Sequence, residues 1–199
     1  MALSQPPLDR SAAKLALRDQ ILAARGRRSL ADVGAEARRL ATVLLSDAAV
    51  GRAATVAAYV AVGTEPGTTW VRDALREAGI RVLLPVLQPD GDLDWGLDLG
   101  DDSLATARLG LLEPTGTTLG PDAVATADVV LVPGLAVSSS GMRLGRGGGS
   151  YDRALARVPV GTPVYCLLYD DEVGHDVPVE PHDRSVTAAA TPSGVVVLG

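Results

Sequence analysis

The chain has 199 residues, 47% of them apolar, which is enough to bury a sizeable core in one domain. Its net charge of −6 argues against a nucleic-acid binder, because such domains usually carry a basic face. No segment approaches the ~20 consecutive apolar residues of a membrane span, so no membrane partner is expected.

The first residues, Met1 to Pro7, show no basic stretch leading into an apolar one. A secretory leader is therefore not expected, and the cytoplasm is the expected location. The one cysteine, Cys166, lies in the apolar run Val164–Leu168 and reads as a packing residue. A disulfide framework or a Cys/His zinc site is excluded.

In chain order, the pattern first predicts a helix from Asp9 to Arg25, with Leu15, Ile21 and Leu22 on its apolar face. Lys14 and Arg18 fall one turn apart on another face, where a solvated surface is the ordinary expectation. Gly26 ends this helix. Ser29, with Asp32 three residues on, opens a second one running to about Leu45. Strands are then predicted at Thr55–Val60 and Arg81–Pro85, separated by a helix from Thr68 to Ala78. The turn Pro89-Asp90-Gly91 predicts a hairpin joining Leu87 to Leu93–Trp95.

From Asp98 to Ala127 the chain reads as an irregular excursion with one short strand near Leu109–Leu112. The clearest strand is Val129–Val132, broken by Pro133-Gly134. A helix at about Tyr151–Arg157, a strand at Val164–Leu168 and a last strand at Val195–Leu198 follow. Alternating strands and helices predict one α/β domain over residues 1–199. Its architecture would be a three-layer sandwich with a mostly parallel, Rossmann-like central sheet and two N-terminal helices. Ligands in such folds bind beyond the carboxyl ends of the strands.

The segment Arg143–Arg153, R-L-G-R-G-G-G-S-Y-D-R, stands out. Glycines let backbone N–H groups converge on an anion, and arginines add bidentate, charge-assisted donors. A helix starting near Gly149 would add its positive end. These are the parts of a polyphosphate cradle, and equally of a flexible surface loop with solvated arginines. A P-loop is excluded because no lysine follows the glycines. The dinucleotide fingerprint fails at Ser150, and the glycines lie too far beyond the Val132 strand.

The run from Val132 to Arg153, V-P-G-L-A-x-x-x-x-G-x-R-L-G-R-G-G-G-x-Y-D-R, resembles the signature of the 5-formyltetrahydrofolate cyclo-ligase family. Lys14-x-x-x-Arg18, Glu65, Leu84-Pro85, Glu113-Pro114 and His182-Asp183 occur in the family's order, so the resemblance covers almost the whole chain. It implies an enzyme that uses ATP and Mg²⁺ to convert 5-formyltetrahydrofolate to 5,10-methenyltetrahydrofolate through a phosphorylated formyl group.

Carried over residue by residue, it implies ATP contacts from Lys14, Arg18, Arg143, Leu144, Gly145, Arg146, Gly147, Gly148, Gly149, Ser150 and Tyr151. Arg143 and Arg146 would be the catalytic cations. Folate contacts would come from Val60, Glu65 and the segment Arg146–Ser150, and the metal ligands would be Asp152 and Asp183. For Asp152 the alternative is a helix-start acid; for Glu65, an acid ahead of the Thr68 helix; for Tyr151, a core aromatic.

Some positions depart from the family pattern. Val137 and Ser138 replace a common Phe-Asp, Ser150 an aromatic, Thr187 an Asp, and Gly148 a lysine found in some members. A sugar-phosphate or acyl-CoA enzyme on a related scaffold, or a non-catalytic folate- or nucleotide-binding protein, are the other readings. A monomer or weak homodimer is expected.

Overall fold

The computed structural model describes residues 10–199. The expected helix start at Asp9 and the reading of Met1–Pro7 lie outside the described residues.

Two helices come first, α1 (Arg10–Arg25) and α2 (Leu30–Ser46), as the sequence predicts. The Ser29 hydroxyl caps α2 by accepting from the Asp32 amide at 3.1 Å. A short helix, α3 (Ala48–Gly51), follows with Asp47 as its cap.

Next come β1 (Thr55–Ala57), α4 (Thr69–Glu77), β2 (Arg81–Leu87) and β3 (Leu93–Leu97). The chain continues through β4 (Leu104–Thr106), β5 (Leu112–Pro114), β6 (Val129–Pro133), β7 (Ala136–Val137) and β8 (Arg143–Leu144). It ends with α5 (Ser150–Leu155), β9 (Val164–Leu167), β10 (Ala188–Thr191) and β11 (Gly194–Val197).

Seven strands form one sheet in the order β11-β10-β9-β6-β1-β2-β3. The five inner strands run parallel, and the edge strands β3 and β11 are antiparallel to their neighbours. This is the expected mostly parallel α/β sheet. Successive residues of the inner strands alternate between two apolar clusters. Val56, Leu84, Leu131 and Leu167 pack with Leu40 and Leu44 of α2 and Val71 and Leu75 of α4. Ala57, Leu83, Val130 and Cys166 pack with Ala154 and Leu155 of α5 and with Val124. Burial on both faces explains why these strands read as unbroken apolar runs. No helix among the described residues is long and apolar enough to cross a membrane.

Four details differ from the sequence reading. The β1 strand stops at Ala57, because the next residues turn to meet α4: the Thr68 hydroxyl donates to Tyr59 O at 2.6 Å and accepts from the Ala61 amide at 3.1 Å. The expected strand at Leu109–Leu112 is instead the tip and return of a β4–β5 hairpin, and Leu109 adopts a left-handed φ of 59° at that tip. The expected last strand pairs with β10, an alanine-rich strand that carries no alternation to reveal it. In α1, Leu15 is 57% exposed while Lys14 is only 4% exposed, so the helix is turned with cations inward.

Candidate active site

The carboxyl ends of β1, β2 and β6 open into a cleft of about 900 Å³. One wall is the Gly-rich segment between β8 and α5. The lining also includes the β4–β5 hairpin and the end of β2, where Pro85, Leu87, Leu109, Leu111 and Leu112 supply an apolar surface. The cleft thus combines cationic and apolar lining.

Arg143 sets the cationic lining. It is buried on β8 and donates to Pro133 O at 3.2 Å and to the Asp152 carboxylate at 3.3 Å. Its guanidinium also lies 5.7 Å from the centre of the Tyr151 ring. Its Nε has no partner among the described residues. A Cβ at Gly145 would meet Arg143 Nη1 at 2.7 Å, so a side chain there would require the guanidinium to shift. The Gly145 carbonyl accepts from Arg18 Nε at 2.9 Å, which ties α1 to the loop. Gly147, at φ 99°, completes a turn that a side chain would strain. The α5 helix has only six residues, so its dipole contributes less than a full-length helix would.

Arg146 reaches across the mouth of the cleft to Glu65, with Nη2 at 3.0 Å from the carboxylate. Arg146 is more than half exposed, whereas Glu65 is buried and also accepts from the Val62 amide at 3.0 Å. Val60 lines the same wall. Val60 and Glu65, expected as folate contacts, and Arg146, expected to contact both ligands, therefore border one cleft.

A group of acids adds to the lining. The Lys14 ammonium lies 2.6 Å from Glu180 and 2.7 Å from Asp183. Burial alone would lower the Lys14 pKa, but the hydrogen bonds to Asp183 and Glu180 outweigh it and hold it above the ordinary lysine value. Burial likewise opposes ionisation of Asp183, and Lys14 and the Glu180 amide reverse that, holding the Asp183 carboxyl below its usual range. Donor atoms of Glu180, His182 and Asp183 all lie within 4.8 Å of one another. Asp152 lines the same cleft but is bound elsewhere, by Arg143 and by the Arg184 amide at 3.2 Å.

Of the residues singled out from the sequence, Arg18, Val60, Glu65, Arg143, Gly145 to Asp152 and Asp183 all border this one cleft. Two are placed differently. Lys14 does not line the cleft but sits behind it, holding Asp183. Leu144 points away, because alternate residues of β8 face opposite sides; its side chain packs with Ile21, Leu135 and Val177. Sequence reasoning missed the apolar hairpin tip at Leu109–Leu112 and the aromatic lining residue Tyr59. The leucines following Arg108 in a Gly-rich stretch were the only signal for the first, and a tyrosine closing a strand was the signal for the second.

The matching family model describes the 5-formyltetrahydrofolate cyclo-ligase family and spans residues 10–192. The chain belongs to this family. A 5-formyltetrahydrofolate cyclo-ligase of Mycolicibacterium smegmatis is 45% identical over 150 residues, covering 72% of this chain and 77% of that protein. Its counterpart in Escherichia coli K12 is 34% identical over 163 residues, covering 78% and 87%. Among solved structures, the 5,10-methenyltetrahydrofolate synthetase of Aquifex aeolicus superposes with a TM-score of 0.80 at 25% identity, over 93% of this chain and 92% of that one. The protein is accordingly a ligase of the cyclo-ligase family, with the α/β fold of the synthetases.

Proposed function

We propose that this chain, as a single unit, converts 5-formyltetrahydrofolate to 5,10-methenyltetrahydrofolate while hydrolysing ATP to ADP and phosphate. The observation that carries the reading is the lining of the cleft, in which Gly and Arg residues suited to polyphosphate and apolar residues suited to a flat ring system border one space. The family names of its relatives supply the substrate class.

In the first step the formyl oxygen attacks the γ-phosphorus and ADP leaves, giving an iminophosphate. N10 then attacks the formyl carbon, the C–O bond to phosphate breaks, and N10 loses its proton. Neither step needs a protein nucleophile; both need charge neutralisation and alignment. Arg143, buried and braced by Pro133 O, is the fixed cation for the transferring phosphoryl group. Arg146, exposed and on a glycine-flanked turn, is the mobile one. Arg18 shapes the loop through Gly145 O. Glu65 takes the N–H edge of the pterin when Arg146 turns to phosphate, and Val60 packs beside it. Ser150 has no ring to stack on the pterin, so Tyr151 takes that part.

Asp152 and Asp183 would hold Mg²⁺. Their carboxylate oxygens suit a hard cation, though each already carries a cationic partner, Arg143 or Lys14, that has to yield or share. When bound, the ion would neutralise phosphate charge. The test is spectrophotometric: purified protein given 5-formyltetrahydrofolate, ATP and Mg²⁺ develops the absorbance of the methenyl product, and none when ATP is omitted. Absence of product with all components present would overturn the proposal.

A further inference from the structure

One buried polar group of a cleft-lining residue has no task in the reaction above. Tyr59 follows β1, forms part of the cleft wall and is 3% exposed. Its hydroxyl has no hydrogen-bond partner among the described residues. The protein satisfies other buried tyrosines: Tyr165 donates to Asp47 at 3.1 Å and Tyr169 to Thr64 O at 3.0 Å. A phenylalanine at position 59 would fill the same core space without leaving a desolvated hydroxyl, so the bare oxygen carries a standing desolvation penalty.

The surroundings say which ligand meets it. The main chain of Tyr59 is fixed, since its carbonyl accepts from the Thr68 hydroxyl at 2.6 Å. Next in sequence is Val60, and Glu65 lies close enough to act on the Tyr59 hydroxyl electrostatically, as does Tyr151. Burial, with Glu65 adding to it, raises the Tyr59 pKa well above the ordinary tyrosine value, so the group keeps its proton and can donate. Glu65 and Tyr151 line the cleft, while Cys166 and Arg25, which also act on the hydroxyl, are buried.

We propose that the Tyr59 hydroxyl is a folate-recognition donor, giving a hydrogen bond to an acceptor atom of the bound pterin and remaining unpaired only in the ligand-free enzyme. The inference rests on the folate reading of the cleft. It makes Tyr59 a specificity-determining residue beside Glu65: the carboxylate accepts from the pterin and the hydroxyl donates to it.

The variant Tyr59→Phe keeps the ring and removes only the oxygen. Three quantities are measured on wild type and variant: the melting temperature of the ligand-free protein, the Kd for 5-formyltetrahydrofolate, and the Kd for ADP. The expected result is an equal or higher melting temperature, a folate Kd raised about tenfold, the size of one buried hydrogen bond, and an unchanged ADP Kd. An unchanged folate Kd would overturn the assignment. So would a lowered melting temperature with both ligands weakened together, because that pattern marks a packing role. If wild type itself binds no folate, the reading of the cleft fails, and the Tyr59 assignment with it.

Discussion

Replacing Glu172 by alanine should be among the most damaging single changes in the molecule. Its carboxylate receives Arg25 Nε and Nη2 at 2.7 Å each, and the two side chains are 1% and 2% exposed. Arg25 Nη2 also reaches Gly134 O at 2.7 Å, and Glu172 accepts the buried Tyr169 amide at 2.9 Å. Removing one partner of a buried pair costs about 3–5 kcal/mol, because the other charge stays behind without compensation. The stranded Tyr169 amide places the sum near the top of that range, about 5 kcal/mol. Domain stabilities run to about 5–15 kcal/mol, so this is a third or more of the whole. In a chain of this length it corresponds to a fall of about 10–20 °C in melting temperature.

Urea unfolding followed by circular dichroism measures the loss directly. Glu172→Gln should fall between, since it keeps an acceptor for Tyr169. Converting both partners to Met and Leu should restore much of the stability, because a well-packed apolar pair is often as stable as the ion pair it replaces. A loss below about 1 kcal/mol for Glu172→Ala would refute the reasoning, since it would mean the guanidinium is effectively hydrated.

Arg146→Ala should weaken ATP binding by about 1–3 kcal/mol; an unchanged ATP affinity by calorimetry would remove Arg146 from the site. The Lys14–Asp183 pair predicts two pH limits. Asp183, held low, stabilises the fold above the ordinary carboxyl value and ceases to as pH falls through its folded value, below about pH 4. Lys14, held high, contributes below the ordinary lysine value and is lost as pH rises through its folded value, above about pH 10.4. Lys14→Met should therefore flatten stability profiles at both ends, and identical urea midpoints across pH in the two proteins would contradict this. Gly134→Ala puts a Cβ 2.3 Å from Cys166 Sγ and 3.4 Å from Arg143 Cγ, so it should cost about 1–3 kcal/mol by overpacking and loosen Arg143. A wild-type melting temperature in that variant would show that the site relaxes freely.

The inner sheet was legible because its strands are buried on both faces and read as apolar runs between glycine and proline stops. Val129–Val132 is the clear instance. Where local chemistry competes, the reading slips. Leu109 and Leu112 look like a strand by composition, but Gly110 and the left-handed Leu109 make a hairpin tip whose apolar side chains face a cleft rather than a core. In β10, Ala188 to Ala190 carry almost no pattern, and their burial comes from neighbours β9 and β11 that sequence alone does not place beside them. The position of the Gly-rich segment at the cleft was legible from residue types and order. The role of Tyr59 was not, since an unpaired hydroxyl is visible only once every possible partner has been located.

The first helix shows why charge misleads at a distance. By the usual rule the side of α1 bearing Lys14 and Arg18 is the solvated one and Leu15 faces the core. Ile21 and Leu22 do pack inward, but Leu15 faces out and Lys14 is buried, because the compensating groups come from distant parts of the chain. Lys14 holds Asp183 and Glu180, Arg18 holds the Gly145 carbonyl, and Arg25 holds Glu172 and the Gly134 carbonyl. These residues follow one another at spacings of four and seven, so they form a single stripe along the helix, with Ile21 between them buried in the third core cluster and Leu17 and Leu22 packed against it. Each cation secures a different segment bordering the cleft: the acids near residue 183, the Gly-rich turn, and the end of β6. A helix that reads as peripheral thus acts as the strap that fixes three otherwise independent loops in one geometry. Its cations should be judged by the loops they position as well as by any nucleotide they touch.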